Sequence, residues 1–256
     1  MADGSGGGVN SLKGKVSAEE WQIRVELAAL YRLVALHGWD DLIYTHISAR
    51  LPGPEHQFLI NPYGLLFEEI TASSLVKIDL DGAILQDTPY FINPAGFTIH
   101  SAIHAVREDA RFVMHLHSDH GVAVAAQEHG LLPISQHALA VLPQLTYHVY
   151  EGIALNPDER ERLVTDLGPK NLMLLRNHGT LAVGDTAADC WIGMYYLERA
   201  CAMQVMALAG GLDHVRLIPP TVQDEVRSQV SRGVGGALAW PGCLRKLDRD
   251  RPGYDS

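Results

Sequence analysis

Two very short links between strand-like segments limit the topology that this chain can adopt. The segments 43–50 and 57–60 flank Pro52-Gly53-Pro54, and a second pair within 75–85 is divided by Asp81-Gly82. Links this short join antiparallel neighbours, because parallel strands need a crossover of about a dozen residues or more. Asp-Gly is also a residue pair that forms tight hairpin turns. We therefore predict two antiparallel hairpins in the first third of the chain.

Helical segments alternate with strands along the chain. The first begins at Ser17, whose spacing to Glu20 fits a capping box, and it ends near His37. Further helices are predicted at 97–109, 121–126, 158–166 and 185–208 and from about residue 223, with strands at 112–117, 172–175 and 180–183. Helices interleaved with closely linked strands predict an α/β fold, a three-layer αβα sandwich around a central, mainly antiparallel sheet.

We expect one domain at 17–218, because no linker long enough to divide it is present. A Gly- and Ser-rich leader at 1–16 is predicted to be disordered, and 219–256 is a C-terminal extension. Within that extension the segment 239–249 is too apolar and aromatic for a free tail. We expect it to pack on its own or a neighbouring subunit.

Composition argues against several classes of protein. The formal charge is -10, and the 20 Lys and Arg residues are dispersed, which disfavours a nucleic-acid partner. The chain has neither an apolar run of roughly 20 residues nor the features of a signal peptide, so we expect no membrane association and a cytoplasmic location. Three widely spaced cysteines without a CxxC pair argue against a disulfide framework.

Histidines at strand ends predict a metal site. His115 and His117 follow the apolar run 112–114, and a strand's two-residue repeat places both imidazoles on one face. His178 follows a second apolar run, 172–175. Three imidazoles form the open ligand set of a catalytic centre, which leaves a position for water or substrate. Zn²⁺ is the first choice of ion, and Mn, Fe or Co are compatible.

A second histidine pair is an alternative source of ligands. His100 and His104 lie four residues apart on a predicted helix and therefore share a face. We favour His115 and His117, because strand ends hold ligands rigidly and the helical pair lacks the intervening Glu of the helical zinc-protease motif. The helical pair could instead pack on the sheet or support the ligands.

Four motifs follow one another along the chain: Asn93–His104, Arg107-x-Asp109, His115-x-His117-Ser118 and Asn177-His178-Gly179. The segments 59–66, 71–77, 130–135 and 147–150 accompany them. Together they resemble the class II aldolase/adducin family, especially its adducin-like branch, over roughly residues 20–212. The resemblance implies an αβα fold, a divalent metal held by the matching His115, His117 and His178, and often a four-fold homotetramer with active sites between subunits.

The chain departs from the sugar-phosphate enzymes of that family at three places. Gly96 stands where those enzymes have a Glu or Asp that binds the metal or acts as a base. Thr45-His46 replaces their Gly-Asn, and Pro94-Ala95 replaces their paired serines, so the phosphate pocket is altered. The resemblance thus points to a small non-phosphorylated carbonyl or carboxylate substrate and leaves the proton-transfer group open.

Several residues are candidates for the remaining roles. Proton transfer could use Tyr147, His148 or Glu151, with His120 and His137 as further candidates. Arg50 could pair with a substrate carboxylate, and Asn93 and Gly96 are the other candidates for substrate contact.

Three functions remain open from the sequence. The first is a metal-dependent lyase of the aldolase or decarboxylase type, which the three histidines favour. The second is a non-haem Fe(II) oxygenase on the same ligands, because imidazole also suits iron. The third is an adducin-like interaction module without catalysis. Turnover without oxygen separates the first two, and metal binding separates both from the third.

Overall fold

The computed structural model describes residues 11–152, 159–230 and 235–256. Within them, seven strands form one sheet in the order β3-β2-β1-β4-β7-β6-β5. All neighbouring pairs are antiparallel except β5 and β6. The strands are β1 His46–Arg50, β2 Phe58–Ile60, β3 Val76–Ile78, β4 Phe112–Leu116, β5 Leu145–His148, β6 Leu172–Leu175 and β7 Gly179–Gly184. The predicted mainly antiparallel sheet is confirmed.

The described α-helices cover both faces of this sheet. They are α1 Ala18–His37, α2 Pro94–Val106, α3 Asp119–Ala125, α4 Gln136–Val141, α5 Glu159–Leu167, α6 Ala187–Ala207, α7 Pro220–Gln229 and α8 Trp240–Asp250. One core joins the sheet to α1, α3, α4, α6 and α8, and a second core joins its other face to α2 and α5. The three-layer αβα sandwich is therefore confirmed. None of the helices within the described ranges is both long and apolar enough to cross a bilayer.

Side chains of β4 point alternately to the two faces of the sheet, and this alternation shows which helical layer the histidines face. Met114 belongs to the core under α1 and α6, whereas Val113 belongs to the core under α2 and α5. Because side chains alternate along a strand, His115 lies on the same face as Val113. The metal-ligand candidates therefore lie on the α2 side of the sheet.

Helix α1 begins and ends as its sequence predicts. The Ser17 hydroxyl accepts a hydrogen bond from the Glu20 amide, and Gly38 ends the helix in a left-handed conformation with φ of 66°. The Glu20 carboxylate does not complete the predicted capping box. It accepts hydrogen bonds from the side chains of Arg24 and Lys77 instead, since two cations are within reach.

The second predicted hairpin is only partly formed. The turn at Gly82 is present, but segment 83–85 makes a single bridge between Ile84 and Ile78 rather than a strand. Ile84 and Leu85 are both 41% exposed at this edge of the sheet, so pairing there buries little apolar surface. Strand β5 and helix α4 were not predicted, because four and six residues are too few to display a clear period.

The two ends of the described chain lie on the domain. Residues 1–10 of the predicted leader, and residue 158 of the predicted helix 158–166, fall outside the described residues. The Leu12 amide donates a hydrogen bond to the Ser73 hydroxyl, so this part of the leader contacts the fold. At the other end, Leu247 of α8 is buried in the core under α1, and the Tyr254 carbonyl accepts a hydrogen bond from the Ala72 amide. The extension thus packs on its own chain. The predicted domain limits at 17 and 218 stay predictions.

Candidate metal centre

Three histidines converge at one end of β4 and β7. His115 is in β4, His117 follows that strand, and His178 lies in the turn between β6 and β7. One ligand atom from each lies within 4.8 Å of the others. Strand β7 pairs with β4 directly, with Thr180 opposite Leu116, and this register brings the turn beside the two strand-end histidines.

The sequence around His178 is adapted to that turn. Asn177 has a left-handed backbone with φ of 56°, which Asn tolerates better than most residues. Gly179 lies so close to β4 that an added Cβ would be 2.3 Å from the Leu116 carbonyl oxygen. Asn177 and Gly179 therefore let the chain turn tightly enough to place His178 against His115, with ring centroids 4.8 Å apart.

Hydrogen bonds orient two of the imidazoles. His115 Nδ1 donates to the Thr180 carbonyl at 3.0 Å, and His117 Nδ1 donates to the Asp41 carboxylate at 3.0 Å. The two Nε2 atoms then face each other at 3.1 Å. Two nitrogens held about 2.0–2.1 Å from a tetrahedral ion are about 3.3 Å apart, so the arrangement fits a bound divalent metal. Carboxylate and carbonyl partners of this kind fix the tautomer of metal-binding histidines.

The protonation of the site also suits a metal. Burial lowers the pKa of His115 well below its usual value, and the neighbouring His178 and His117 lower it further. Burial and the proximity of His117 lower the pKa of His178 to about 4. Both imidazoles are therefore neutral near pH 7, which is the form that donates a lone pair to a metal ion.

Asp41 was not predicted as part of the site. It lies in the loop between α1 and β1, and 76 positions separate it from its partner His117. A lone Asp in a loop gives no sequence signal for such a contact. Its role emerges only when the sheet brings the end of β4 beside that loop.

A cavity of about 460 Å³ opens beside the three histidines. Its wall contains aromatic, aliphatic and uncharged polar residues, and Asp41 is the sole residue with a charged side chain among the described ones that line it. Besides the three histidines, the lining residues are Asp41, Tyr44, His46, Tyr63, Asn93, Ile99, Tyr150 and Gly152. Of the predicted substrate contacts, Asn93 lines the cavity.

Gly96 is in contact with His46 rather than with the cavity. A Cβ added to Gly96 would lie 2.4 Å from His46 Cδ2, so the backbone of α2 packs directly on that ring. His46 in turn pairs with His115 across β1 and β4. The imidazole of His46 therefore fills the space that a side chain at position 96 would need. This contact explains physically why the chain carries glycine there.

The helical histidine pair lies behind the metal-ligand candidates. His46 Nδ1 and His100 Nε2 are 3.0 Å apart, and the Ser48 hydroxyl lies between His100 and His104, 2.7 Å from His104 Nε2. Burial lowers the pKa of His46 and His100 well below the usual value and that of His104 to about 3. Neither His100 nor His104 joins the cluster of ligand atoms that the described residues form.

The predicted proton-transfer residues do not line the cavity. The Tyr147 hydroxyl accepts a hydrogen bond from the Leu131 amide. His148 Nδ1 lies 2.7 Å from the Asp166 carboxylate. Glu151 pairs with Arg162, and that hydrogen bond lowers the pKa of Glu151.

Tyr150 is the residue of this segment that does line the cavity, with its ring 5.9 Å from that of His178. The predicted segment is thus next to the site, but Tyr147 and His148 belong to β5 and their side chains are held by its neighbours. The order of the strands in the sheet determines which residues beyond the end of β5 reach the cavity. This order cannot be read from the sequence pattern.

Arg50 and two further histidines lie elsewhere. Arg50 is at the opposite end of β1 from His46, where its guanidinium contacts His56 at 2.9 Å. His120 is exposed, and His137 stacks on Tyr196 with ring centroids 5.0 Å apart. Arg50 is therefore not placed to meet a ligand in the cavity.

The chain matches the model of one known protein family. The family described as the class II aldolase and adducin N-terminal domain matches residues 25–205. The chain therefore belongs to the class II aldolase and adducin family, and the resemblance carried by its motifs is confirmed.

Individual relatives agree with this assignment. An aldolase class 2-type protein of Caulobacter vibrioides is 72% identical over 246 residues, covering 95% of this chain and 96% of its own. The crystal structure of an aldolase II superfamily protein from Pseudomonas syringae superimposes with a TM-score of 0.92 at 50% identity, covering 96% and 100%. L-fuculose 1-phosphate aldolase from Glaciozyma antarctica PI12 superimposes with a TM-score of 0.79 at 26% identity, covering 91% and 92%.

Proposed function

We propose that this protein is a metal-dependent lyase, of the aldolase or decarboxylase type, that acts on a small non-phosphorylated carbonyl or carboxylate compound. The observation that carries the proposal is the convergence of three imidazoles within 4.8 Å beside an open cavity. Three neutral ligands leave a coordination position for a substrate oxygen. Membership of the class II aldolase and adducin family supports the same conclusion.

His115, His117 and His178 would hold the ion, and Zn²⁺ is our first choice for it, with Mn, Fe and Co compatible. A bound divalent ion would polarise a carbonyl or carboxylate oxygen and stabilise negative charge next to it. The protein's own part is to hold the ligands in position. Asp41 and the Thr180 carbonyl do so by fixing the two ring orientations.

The cavity argues against a phosphorylated substrate. Phosphate sites often supply Arg or Lys, and the described lining residues include neither, although α2 begins next to the lining residue Asn93. The neighbour from Glaciozyma antarctica is named for a sugar phosphate, but here His46 fills the space beside Gly96. We place proton transfer on Tyr150, because its ring lies in the cavity beside His178 whereas Tyr147 is turned away.

Metal analysis tests the proposal. Purified protein should contain about one divalent ion per chain, and His117→Ala should lower the affinity by more than about 100-fold, because a direct ligand is lost. His120→Ala is the matched control, since His120 is exposed and outside the cluster. The loaded protein should then convert keto or hydroxy acids under nitrogen.

Other outcomes point to other functions. Turnover that requires both Fe(II) and oxygen would make the protein a non-haem oxygenase, which the same three imidazoles could serve. A protein that binds no metal, and that His117→Ala leaves unchanged, would be an interaction module of the adducin type. A homotetramer with active sites between subunits and a cytoplasmic location belong to the proposal as well, and light scattering of the purified protein tests the former.

A further inference from the structure

Tyr44 and Tyr63 line one side of the cavity, and Phe91 continues their row of rings next to it. We call these three residues the aromatic wall. The rings of Tyr44 and Tyr63 are 6.5 Å apart, and those of Tyr63 and Phe91 are 5.8 Å apart, both in edge-to-face geometry. The Tyr63 amide donates a 2.8 Å hydrogen bond to the Phe91 carbonyl. The backbone therefore fixes the spacing of two members of the row.

The aromatic wall is open to solvent although its residues are large and apolar. Phe91 is 61% exposed and Tyr44 is 49% exposed, and Tyr150 on the His178 side is 50% exposed. Isolated exposed aromatics need no explanation, but several that share one concave site mark a binding surface. Tyr44, Tyr63 and Tyr150 all line the same cavity as the three histidines.

The charge of the lining residues limits which ligands the cavity can bind. Asp41 is the sole charged side chain in the described lining, and its carboxylate already accepts a hydrogen bond from His117. A ligand with several negative charges would therefore meet no cationic side chain among the described lining residues. A cavity of about 460 Å³ is within the usual size of small-molecule sites, roughly 300–1,000 Å³. The site suits one oxygen-bearing head group and a planar apolar body.

We propose that the substrate is an aromatic carbonyl or carboxylate compound. Its oxygen would meet the ion held by the three histidines, and its ring would lie against Tyr44 and Tyr63 of the aromatic wall. This inference rests on the proposed metal centre and adds the chemical class of the substrate to it. Aromatic rings in offset or edge-to-face contact gain about 0.5–1.5 kcal/mol beyond the burial of their area.

Two probes with the same head group test the proposal. Acetohydroxamate and benzohydroxamate chelate a metal through identical atoms, and only the second carries a ring. Titrated into the Co²⁺-loaded protein and followed by the visible spectrum of the ion, benzohydroxamate should bind about ten-fold more tightly or better. Tyr63→Ala should remove most of that preference and leave acetohydroxamate binding unchanged, whereas Tyr63→Phe should keep it.

Each result has a distinct meaning. Equal affinities for the two hydroxamates in the unaltered protein, or a preference that survives in Tyr63→Ala, would overturn the aromatic class and leave the metal centre intact. Failure to bind Co²⁺ would overturn both this inference and the proposed function. Tyr44→Ala replaces Tyr63→Ala if the latter does not fold, because Tyr44 is 49% exposed and its loss removes little packing.

Discussion

At the scale of single residues, Glu198 is a buried carboxyl close to the three histidines. It lies in α6 beneath β7, is 2% exposed, and accepts a 3.0 Å hydrogen bond from the Thr180 hydroxyl. The carbonyl of the same threonine accepts from His115. Burial raises the pKa of Glu198 to about 7, against the opposing effect of hydrogen bonds from Ser118 and Thr180. Below about pH 7, the folded protein therefore holds this carboxyl mainly in its protonated form.

We predict that Glu198→Gln improves in stability relative to the unaltered protein as the pH rises. The free energy of unfolding of the variant minus that of the unaltered protein should be larger at pH 8 than at pH 5. Because the folded pKa of about 7 lies above the unfolded value, folding is favoured by the bound proton at low pH and loses that contribution as pH rises through the folded pKa. The full contribution of this proton to the free energy of unfolding is roughly 3 kcal/mol. Urea unfolding at a series of pH values measures it.

The difference between variant and unaltered protein isolates Glu198 from the buried histidines, whose lowered pKa values oppose it at acid pH. Glu225→Gln, an exposed glutamate on α7, should leave the pH profile unchanged. Parallel profiles for Glu198→Gln and the unaltered protein would mean that folding does not shift the pKa of this carboxyl, and would contradict the prediction.

At the scale of elements, the contact between α2 and β1 shapes the back of the site. Gly96 of α2 packs on the His46 ring, and His100 and His104 of the same helix contact β1 through His46 and Ser48. The helix therefore meets the strand through imidazoles and a hydroxyl rather than through apolar side chains alone. The close approach of Gly96 to the His46 ring therefore sets the distance between α2 and the sheet.

We predict that Gly96→Ala destabilises the protein by about 1–3 kcal/mol, because an added Cβ would lie 2.4 Å from His46 Cδ2 and tight cores resist overpacking. The double variant His46→Ala with Gly96→Ala should recover part of this loss. Gly210→Ala is the matched control, since no atom lies within 4 Å of its added Cβ. Urea unfolding of the unaltered protein, of the single variants Gly96→Ala and His46→Ala and of the double variant gives the coupling between the two positions.

No coupling, so that the loss in the double variant equals the sum of the losses in the two single variants, would show that Gly96→Ala acts through the backbone and not through His46. Full recovery would instead open a route to engineering. A carboxylate could then be introduced at position 96 once the ring of residue 46 is removed, and its effect on Co²⁺ affinity could be measured directly.

At the scale of the whole molecule, the fold was predictable where local rules decide it. Short links determine antiparallel neighbours, so the first hairpin and the β6–β7 hairpin with His178 follow from the sequence. The two-residue repeat likewise places His115 beside His117. The order of the strands in the sheet is not decided by such local rules. It determines which distant segments of the chain come into contact. The contact of Asp41 with His117 and the remote position of Arg50 depend on that order and could not be read from spacing.

The C-terminal helix α8 contacts its own domain through a fully buried leucine. Leu247 of α8 is fully buried against the core under α1, whereas Leu238, nine residues earlier, is 98% exposed. We predict that Leu247→Ala lowers the free energy of unfolding by about 2–5 kcal/mol, the usual range for a buried leucine, and that Leu238→Ala changes it by less than about 0.5 kcal/mol. Thermal and urea unfolding compare the two. Because the same residue type is removed at both positions, equal stabilities would mean that α8 does not rest on α1 in solution, and that its apolar face is covered by something other than its own domain.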